Sequence, residues 1–539
     1  MAFLRIDRKK SGQYISIAET YRTVEGRVRT RILYNLGSVS DYTPEQLQRI
    51  GSRLYELGGG ELKALLGPDA KEIARYNYGY VQVYSKVVKH YEIDVILHRI
   101  ERKHKLSFNL YNAVLLMLLE RLQDPCSKRA NWFNQGEYLG IKPTALHHLY
   151  RALDKLADNS KLLQRQIFET GRDLFNRQLD VVFYDVTTLY FESEKEQDGK
   201  LRQMGFGKDG KIGNTQILFC MLIDQDKQPV GYRIFKGDTF EGHTFEKALD
   251  DLKTEYQIEK VIVVADRGMM SSHNIELTQT KGYEFILGER LKNLPKKQQN
   301  ELLDLSRYEK QWTYTDSDDE QIIIKYTTLE LEGKTIIATY SEKRAKKDRH
   351  EREKKLQTAQ VLLKNPSLLK KKPSRFFLKS EEKQSYVLDE EKVKQQEKYD
   401  GILAISTNNK SLEVTEILGQ YKQLFKIEHT FRTFKSHLEM RPMFHWTDKR
   451  IAGHICLCYI AFTLLNYVLL KTKNANQPST ESTLRKTLDK MQISLIEQNQ
   501  EQTFLRSADN PQQQELLTAL GLRPLPHLCK PSQLPKINL

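Results

Sequence analysis

The sequence predicts an α/β fold built on a mixed β-sheet. Between positions 179 and 288 the pattern reads as three consecutive strands, at 179–187, 216–224 and 229–236, followed by alternating helices and strands. Strands that follow one another without a helix usually pair antiparallel, whereas strand–helix–strand units usually pair parallel. A sheet with one antiparallel half and one parallel half therefore explains this order of elements, with helices flanking the sheet.

Two further regions are predicted before this sheet. Residues 1–65 are expected to form a β-hairpin and a helix, because positions 12–36 alternate between polar and apolar and Thr43-Pro44 is a typical helix start. Residues 66–178 have helical periodicity from about position 84 onward. They are expected to form a helical domain of their own.

The remaining sequence predicts an interrupted core followed by a tail. Residues 179–300 begin the core, and residues 301–395 carry three alternating strands and a basic stretch. Residues 396–472 resume it with the strand GILAIST, a long helix from about 411 to 436, and an apolar helix. Residues 473–539 are polar and rich in glutamine, which predicts a partly helical tail.

Charge favours a polyanionic partner. The chain has 539 residues and a formal net charge of +15, and much of the excess lies in positions 341–375, where 13 Lys/Arg stand against 4 Asp/Glu. A basic surface of this kind is typical of nucleic-acid binding. Ribosomal and membrane-surface proteins share the overall charge, and a charge run can also be a solvated helix face.

Cysteine usage and hydropathy predict a cytoplasmic protein without a membrane anchor. The 5 cysteines form no CxxC pair and no Cys/His zinc spacing, and the N-terminus lacks the apolar core of a signal peptide. The longest apolar stretch, 455–470, is shorter than the roughly 20 residues that span a bilayer. We expect it to be a buried helix.

Three acidic residues are the candidates for chemistry. Asp185 and Asp266 each close an apolar, β-rich run, as expected for buried strands that deliver a carboxylate at their ends, and Glu428 lies in a helical pattern. Magnesium and manganese prefer oxygen ligands, and a pair of such ions can clamp an in-line displacement at phosphorus. Because the three acids are far apart in the chain, only a tertiary fold can bring them together.

The surroundings of Glu428 suggest a functional stripe on one helix. Positions seven apart on an α-helix differ by only about 20°, so Tyr421, Glu428 and Lys435 would share a stripe that Arg432 joins. An amphipathic helix with solvated charges is an equally simple interpretation.

These motifs resemble those of insertion-sequence transposases of the DDE class, which have an RNase H-like core. The first motif is YDVTTLYFE around Asp185, and the second is ADRGM around Asp266. The tract GDTFEGHTFE and the stretch RPMFHWTDKRIAGHICLCYIAFTL are also similar to the family. The resemblance is strong from about position 180 to 470.

The third motif is similar to the branch whose signature is Y-x2-R-x3-E-x6-K, abbreviated YREK. Tyr421, Glu428 and Lys435 match that signature in register. Leu424 stands where the signature has an arginine, and Arg432 could supply the missing cation.

The resemblance implies a fold and a reaction. It implies an RNase H-like mixed sheet interrupted by a β-rich insertion domain, here 301–395, and a helical region that helps to bind the element's ends. The implied activity is binding of terminal inverted repeats, metal-dependent strand cleavage, and strand transfer into target DNA. Asp185, Asp266 and Glu428 would be the catalytic residues and the ligands of two Mg²⁺ (or Mn²⁺) ions. Double-stranded DNA is the implied partner, a homodimer the implied synaptic assembly, and the bacterial or archaeal nucleoid the implied location.

Several residues are predicted to contact DNA. Trp312 is expected to stack on a base flipped out near the cut, although a core tryptophan of a small β-domain is the simpler alternative. The other predicted contacts, to the DNA backbone, are Tyr421, Arg432, Lys435, Lys343, Arg344, Lys346 and Lys347.

Two other functions share these features. An RNase H-like nuclease or resolvase would use the same carboxylates without joining strands. A non-catalytic DNA-binding relative would keep the fold, although the presence of all three acids argues against it.

Overall fold

The computed structural model describes residues 2–9, 12–23, 26–57, 69–174, 181–191, 200–205, 214–258, 261–266, 271–315, 320–364, 378–382, 385–440 and 443–534. Residues 267–269 of the second motif and 365–372 of the basic stretch lie outside these ranges. The chain forms two compact units, one of Met1–Ile73 with Ile496–Gln502 and the other of Ala74–Leu495 with Thr503–Leu539.

The first unit contains an antiparallel sheet and one helix. The hydroxyl of Thr43 accepts a hydrogen bond from the Gln46 N–H at 3.3 Å, and the Gln46 side chain accepts one from the Thr43 N–H at 2.8 Å. This reciprocal cap confirms the predicted helix start at Pro44. The predicted hairpin missed a strand, because a first strand also pairs antiparallel with the second. The elements are β1 (Ala2–Lys9), β2 (Gly12–Arg22), β3 (Val28–Ser38) and α1 (Pro44–Leu57).

The rest of the chain begins with a strand and six consecutive helices, which are followed by strands and helices in mixed order. In chain order these are β4 (Lys71–Asn77), α2 (Tyr78–His90), α3 (Ile93–Lys103), α4 (Leu110–Gln123), α5 (Lys128–Asn134), α6 (Leu146–Asp158), α7 (Ser160–Leu174), β5 (Val181–Tyr190), β6 (Gln203–Met204), β7 (Thr215–Ile223), β8 (Pro229–Lys236), α8 (Glu241–Thr254), β9 (Ile262–Ala265), α9 (Ser272–Thr280), β10 (Glu284–Glu289), α10 (Lys296–Leu303), β11 (Lys310–Thr315), β12 (Gln321–Leu331), β13 (Lys334–Tyr340), α11 (Glu342–Lys364), β14 (Leu378–Glu382), β15 (Ser385–Leu388), α12 (Glu390–Glu397), β16 (Ile402–Thr407), α13 (Val414–Lys422), α14 (Phe425–Arg432), α15 (Asp448–Asn474), α16 (Glu481–Asp489), β17 (Gln492–Gln498), β18 (Glu501–Arg506), α17 (Pro511–Ala519) and β19 (Leu528–Cys529).

The central sheet has the predicted mixed topology. Strands β5, β7 and β8 pair antiparallel in succession. On the other side of β5, strand β9 pairs parallel to it, and β10 pairs parallel to β9. The order β8-β7-β5-β9-β10, antiparallel in its first half and parallel in its second, is that of an RNase H-like core. The predicted fold class is confirmed.

Three strands of the predicted insertion, β11, β12 and β13, extend this sheet, whereas β14 and β15 pair in a two-stranded sheet of their own. Strand β16 pairs antiparallel with β10 on one side and with β13 on the other, and β12 and β11 follow outward. Burial falls along this direction, from the buried centre of β13 to the alternating faces of β12 and β11. The alternation of polar and apolar residues therefore predicted half-exposed strands correctly. It does not show which strand of the central sheet they pair with.

The helical region 66–178 packs into the same core as the sheet, which differs from the separate helical domain expected from its sequence. Leu119 of α4, Leu153 of α6 and Ile455 of α15 belong to one buried cluster with Phe219 of β7. The opposite face of the sheet is covered by a second cluster that contains Phe245 of α8. Helices thus cover both faces, as the buried strands require.

Helix α15 is the apolar helix predicted near 455–470. It is the one helix among the described residues that is long and apolar enough to cross a membrane, but 89% of its most apolar window is buried inside the protein. This burial confirms the prediction of a core helix.

The C-terminal region is more ordered than the predicted tail. Two helices, α16 and α17, fit the expected partial helicity, but β17, β18 and β19 also form a sheet with β4. Leu488, Met491 and Leu517 are buried in the main core. The prediction missed these few buried apolar residues because the segment as a whole is polar.

Candidate active site

Asp185 lies in the middle of strand β5, not at its end as predicted. The strand runs on to Tyr190, and its residues on either side of Asp185 are buried. Asp185 itself is half-buried, and one of its carboxylate oxygens accepts a hydrogen bond from the Val186 N–H at 2.7 Å. A carboxylate within a buried strand is unfavourable unless water, hydrogen bonds or a cation compensate it. Its position therefore favours a functional role.

Asp266 directly follows strand β9, as predicted. In the parallel register of β5 and β9, Tyr184 is opposite Ala265. Asp185 follows Tyr184 within β5, and Asp266 follows Ala265 directly after β9. The two aspartates are therefore neighbours, because paired strands are about 4.8 Å apart. Asp266 is exposed. Two distant sequence motifs thus meet at one point of the sheet.

Glu428 lies on helix α14, but the long helix predicted around it is interrupted. Helix α13 ends at Lys422, and α14 begins at Phe425. The turn between them is tighter than an α-helix, since the Leu424 N–H donates to the Tyr421 carbonyl three residues back. The segment Thr433–His437 then continues as a π-helix. The predicted seven-residue stripe presupposed one regular helix, so that geometric argument was wrong.

One cavity of about 730 Å³ nevertheless contains all three acids. It is open toward solvent on the side of the sheet where β5, β9 and the helices α13 and α14 come together. Its lining includes Asp185, Asp266, Glu428, Trp312, Tyr314, Lys343, Arg344, Lys347, Tyr421, Lys422 and Leu424. The fold therefore collects acidic, basic and aromatic groups from sequence segments that are up to about 240 residues apart.

Three of the predicted DNA contacts are not among the described residues that line this cavity. Arg432 is the last residue of α14, and Lys435 lies in the π-helical turn that follows, where the regular seven-residue spacing is lost. Neither lines the cavity. Lys346 is exposed on α11 but also lies outside the lining. Arg432 therefore does not fill the place of the missing arginine in this cavity.

The first turns of helix α11 bring three cations to the cavity. Lys343, Arg344 and Lys347 line it, and Lys347 neighbours both of the others on the helix surface because it lies four residues after Lys343 and three after Arg344. Lys343 lies 3.3 Å from Glu320, and Arg344 lies 3.6 Å from Asp348. These partners are exposed or half-exposed, so the pairs are weak. Helix α11 therefore places basic side chains at the cavity.

Two lining residues were missed in the sequence. The Lys422 ammonium lies 3.0 Å from the centroid of the Tyr314 ring, and the rings of Tyr314 and Trp312 are 4.9 Å apart. Tyr314 was recognisable as the second residue after Trp312, on the same face of an alternating strand. Lys422 lies at a position where the third motif allows any residue, two residues before Leu424. It brings a positive charge to the cavity, which Leu424, in the place of the motif's arginine, does not.

The three acids are suited to divalent metal ions in their chemistry. Among the described residues no group of three His, Cys, Asp or Glu side chains is arranged to hold a metal ion by itself. Magnesium, however, is commonly held by one or two carboxylates together with water and substrate phosphates. Neighbouring Asp185 and Asp266, with Glu428 in the same cavity, provide ligands of this kind. The residues present therefore fit a metal site of the kind that water and phosphate oxygens complete.

Comparison with solved structures finds transposases at low identity. One match is the cryo-EM structure of the piggyBac transposase synaptic complex with hairpin DNA, at 10% identity, covering 76% of this chain and 78% of that chain with a TM-score of 0.37. Another is the Mos1 transposase paired-end complex with the left transposon end, at 14% identity, covering 36% and 57% with a TM-score of 0.15. No curated protein matches the chain.

Two family models match the sequence. The model "IS1634 family transposase, N-terminal domain" matches residues 4–61, and the model "Transposase DDE domain" matches residues 176–464. The second match covers more than half of the chain, and enzymes with this domain generally depend on divalent metal ions. The chain therefore belongs to the DDE-class insertion-sequence transposases.

Proposed function

We propose that this transposase binds the terminal inverted repeats of an insertion sequence, cuts the DNA strands at its ends, and joins the freed ends to target DNA. The observation that carries the proposal is the single cavity lined by three carboxylates, four cations and two aromatic rings whose centroids are 4.9 Å apart. In-line displacement at a phosphodiester needs positioning and charge stabilisation more than covalent catalysis. This cavity offers both.

Asp185, Asp266 and Glu428 would hold the divalent ions, which we propose to be two Mg²⁺ or Mn²⁺. When bound, such ions activate the attacking oxygen and stabilise the leaving 3′-oxygen. The protein's own part is to fix these carboxylates on rigid elements. Strands β5 and β9 hold two of them in register, and α14 holds the third.

The cations of the cavity would grip the DNA backbone. Lys343, Arg344 and Lys347 come from α11, and Lys422 comes from the end of α13. Contacts of this kind set the position of the DNA without reading its sequence. Tyr421, beside Lys422, would donate its hydroxyl to a neighbouring phosphate.

The aromatic pair would hold an unstacked base. Trp312 and Tyr314 stand on the outermost strand of the sheet, and Trp312 is half-buried. A half-buried indole keeps a surface for stacking, which contributes about 1–3 kcal/mol per base in single-strand binding. The element's end near the cut is the natural occupant.

The wider assembly is part of the proposal. Joining two element ends to one target requires both ends to be held together, and we propose that two copies of the chain do this. A chromosomal substrate implies work in the bacterial or archaeal cytoplasm, at the nucleoid.

A cleavage and joining assay tests this function. The substrate is end-labelled DNA from the region that flanks the coding sequence, mixed with unlabelled plasmid and Mg²⁺. Wild-type protein should cut the labelled DNA and join it to the plasmid. Asp185→Asn should bind the DNA but lose both products, whereas Glu246→Gln, which changes an exposed acid on α8, should retain them. Cutting without joining would support a nuclease instead, and cutting by Asp185→Asn would overturn the assignment.

A further inference from the structure

A second cavity, of about 370 Å³, lies between helices α4, α5, α6 and α15 and the segment 443–447. We call it the histidine cavity and define it by Arg121, Lys128, His445, Trp446, Arg450 and His454. It shares no described lining residue with the cavity of the three acids. Its volume is within the range of small-molecule sites.

Two cations are buried at this cavity without a carboxylate partner. Arg121 is 5% exposed and Lys128 is 3% exposed. Arg121 donates to the carbonyls of Leu438 and Cys126, and Lys128 donates to the Asn131 side chain at 3.0 Å. Among the described residues neither cation has an ion pair. A buried cation without an anion is unfavourable, so the arrangement favours an anionic ligand.

Among the described residues, neither nearby carboxylate forms an ion pair with these two cations. Glu120 is buried, and its carboxylate accepts hydrogen bonds from Cys126, Asn131 and Asn134 at 2.9–3.3 Å. Glu439 is the one acid among the described lining residues, and it is exposed. Arg450, also in the lining, adds a further cation that lies 3.6 Å from Asp154. Among the described lining residues, three basic side chains therefore stand against one acid.

Two buried nitrogens that have no hydrogen-bond partner among the described residues also line the cavity. The Nδ1 of His454, which is 5% exposed, and the Nε of Arg121 are buried without a hydrogen-bond partner among the described residues. Burial lowers the pKa of His454 well below its usual value and that of His445 to about 4, so both rings are neutral. A neutral imidazole carries one N–H, which is on Nδ1 of His454 in the tautomer whose Nε2 accepts from the Cys458 thiol, 3.7 Å away. An unsatisfied buried donor is costly, and a bound oxyanion would satisfy it.

The rim of the cavity is aromatic and exposed. Trp446 is 56% exposed and Phe444 is 72% exposed, although large aromatic side chains are normally buried. The Arg202 guanidinium lies 4.5 Å from the centroid of the Trp446 ring and restrains it. A restrained indole at the mouth of a cationic cavity is suited to stacking with a base.

We propose that the histidine cavity binds one nucleotide of the DNA substrate, with its phosphate group beside Arg121 and Lys128 and its base on Trp446. The phosphate would occupy the buried donors, and the base would cover the exposed rim. This inference rests on the proposed function for the identity of the ligand, since the same groups would also accept a free nucleotide.

The experiment is calorimetric titration of the full-length protein. The probes are deoxyadenosine 5′-monophosphate, deoxyadenosine, inorganic phosphate, and a short single-stranded oligonucleotide. Wild-type protein should bind the monophosphate more tightly than either of its parts. At pH 6, where Lys128 is charged, Lys128→Met should weaken binding of the monophosphate and of phosphate by about tenfold, because a charge-assisted hydrogen bond is lost. Trp446→Ala should weaken binding of the monophosphate and the oligonucleotide but not of phosphate.

A control variant separates this site from a general change of charge. Lys103→Met, which removes an exposed lysine of α3 that lines neither cavity, should leave binding of the monophosphate unchanged. Arg450→Gln replaces Lys128→Met if the latter does not fold, since the Arg450 side chain is 43% exposed. Monophosphate binding that is unaffected by these variants would overturn the proposal, as would its absence in folded wild-type protein. An effect on the monophosphate but not on the oligonucleotide would identify a free-nucleotide site and overturn the DNA assignment. If the variants change binding as predicted but wild-type protein does not cleave DNA, the proposed function is overturned and the nucleotide site is not.

Discussion

The ammonium of Lys422 lies 3.0 Å from the ring centroid of Tyr314, which joins the end of helix α13 to the outermost strand of the central sheet. This contact connects the segment of the third motif with the strand that carries Trp312. It explains why the extension of the sheet by β11–β13 matters for the site. The extension supplies an aromatic wall to the cavity, and the helix supplies a cation against it.

Lys422 should be a principal contact to the DNA backbone. Lys422→Gln should weaken DNA binding and reduce the slope of log affinity against log salt concentration by about 1, because one fewer counterion is released. Lys422→Arg should retain most of the binding. Fluorescence anisotropy over a range of salt concentrations measures both quantities. An unchanged slope in Lys422→Gln would exclude a phosphate contact.

Trp312 should stack on an unpaired base. Trp312→Ala should weaken binding of DNA with an unpaired base near the cut by about fivefold or more, whereas Trp312→Phe should lose less. Fully paired DNA should be bound with similar affinity by all three proteins. A 2-aminopurine at the unpaired position reports stacking through quenching. Equal quenching by wild type and Trp312→Ala would contradict this role.

Close packing of α15 on α6 should depend on Gly453. A Cβ atom added at Gly453 would lie 2.0 Å from the carbonyl oxygen of Leu153, which is backbone and cannot move aside. Gly453→Ala should therefore lower the free energy of unfolding by about 1–3 kcal/mol or more. Gly136→Ala is the matched control, because nothing lies within 4 Å of its added Cβ. Denaturant unfolding distinguishes them, and equal stability of the two variants would contradict the packing described for these helices.

The buried lysine of the histidine cavity should make stability depend on pH. Burial, followed by the neighbouring Arg121, lowers the pKa of Lys128 from 10.5 to about 7, although Glu120, Cys126 and Cys458 oppose the shift. Between these two pKa values the unfolded chain binds a proton that the folded protein does not. Stability therefore rises with pH across this window, and the unfavourable charged form is populated at its lower end.

Comparison with Lys128→Met isolates this effect. The variant should gain the most stability over wild type below about pH 7, and the gain should shrink toward about pH 10. Denaturant unfolding at several pH values measures it, with the exposed Lys103→Met as a control. A gain that is independent of pH would show that Lys128 is not neutralised by burial.

The sequence predicted which fold the chain adopts and which acids line the cavity, but it predicted less well where those acids lie on their strands and helix. Runs of apolar β-rich residues identified β5 and β9, and their order determined the mixed sheet. Asp185 was nevertheless expected at the end of a strand, because threonines and a tyrosine after it do not reveal whether a strand continues. Neither local periodicity nor propensity could predict that β13 pairs with β16, since this is a long-range choice of edge.

The helix around Glu428 illustrates the same limit. Its residues have a continuous helical pattern, but the structure has a tight turn at Leu424 and a π-helical turn after Arg432. Buried Ile427 and Phe431 hold α14 against the core, so tertiary packing overrides the regular repeat. Lys435 was predicted from a spacing that the folded chain does not keep. Lys422 was not predicted as a site residue, because only its contact with Tyr314 in the folded chain shows that it lines the cavity.

Binding of Mn²⁺ to the complex with DNA tests the central claim most directly, because it does not depend on activity. Electron paramagnetic resonance counts the ions bound by wild type, Asp266→Asn and Glu246→Gln, each in complex with the same DNA. We predict that wild type and Glu246→Gln bind two ions and that Asp266→Asn loses at least one of them. Equal Mn²⁺ binding by Asp266→Asn and wild type would show that this aspartate is not a ligand and would contradict the assignment of the three acids.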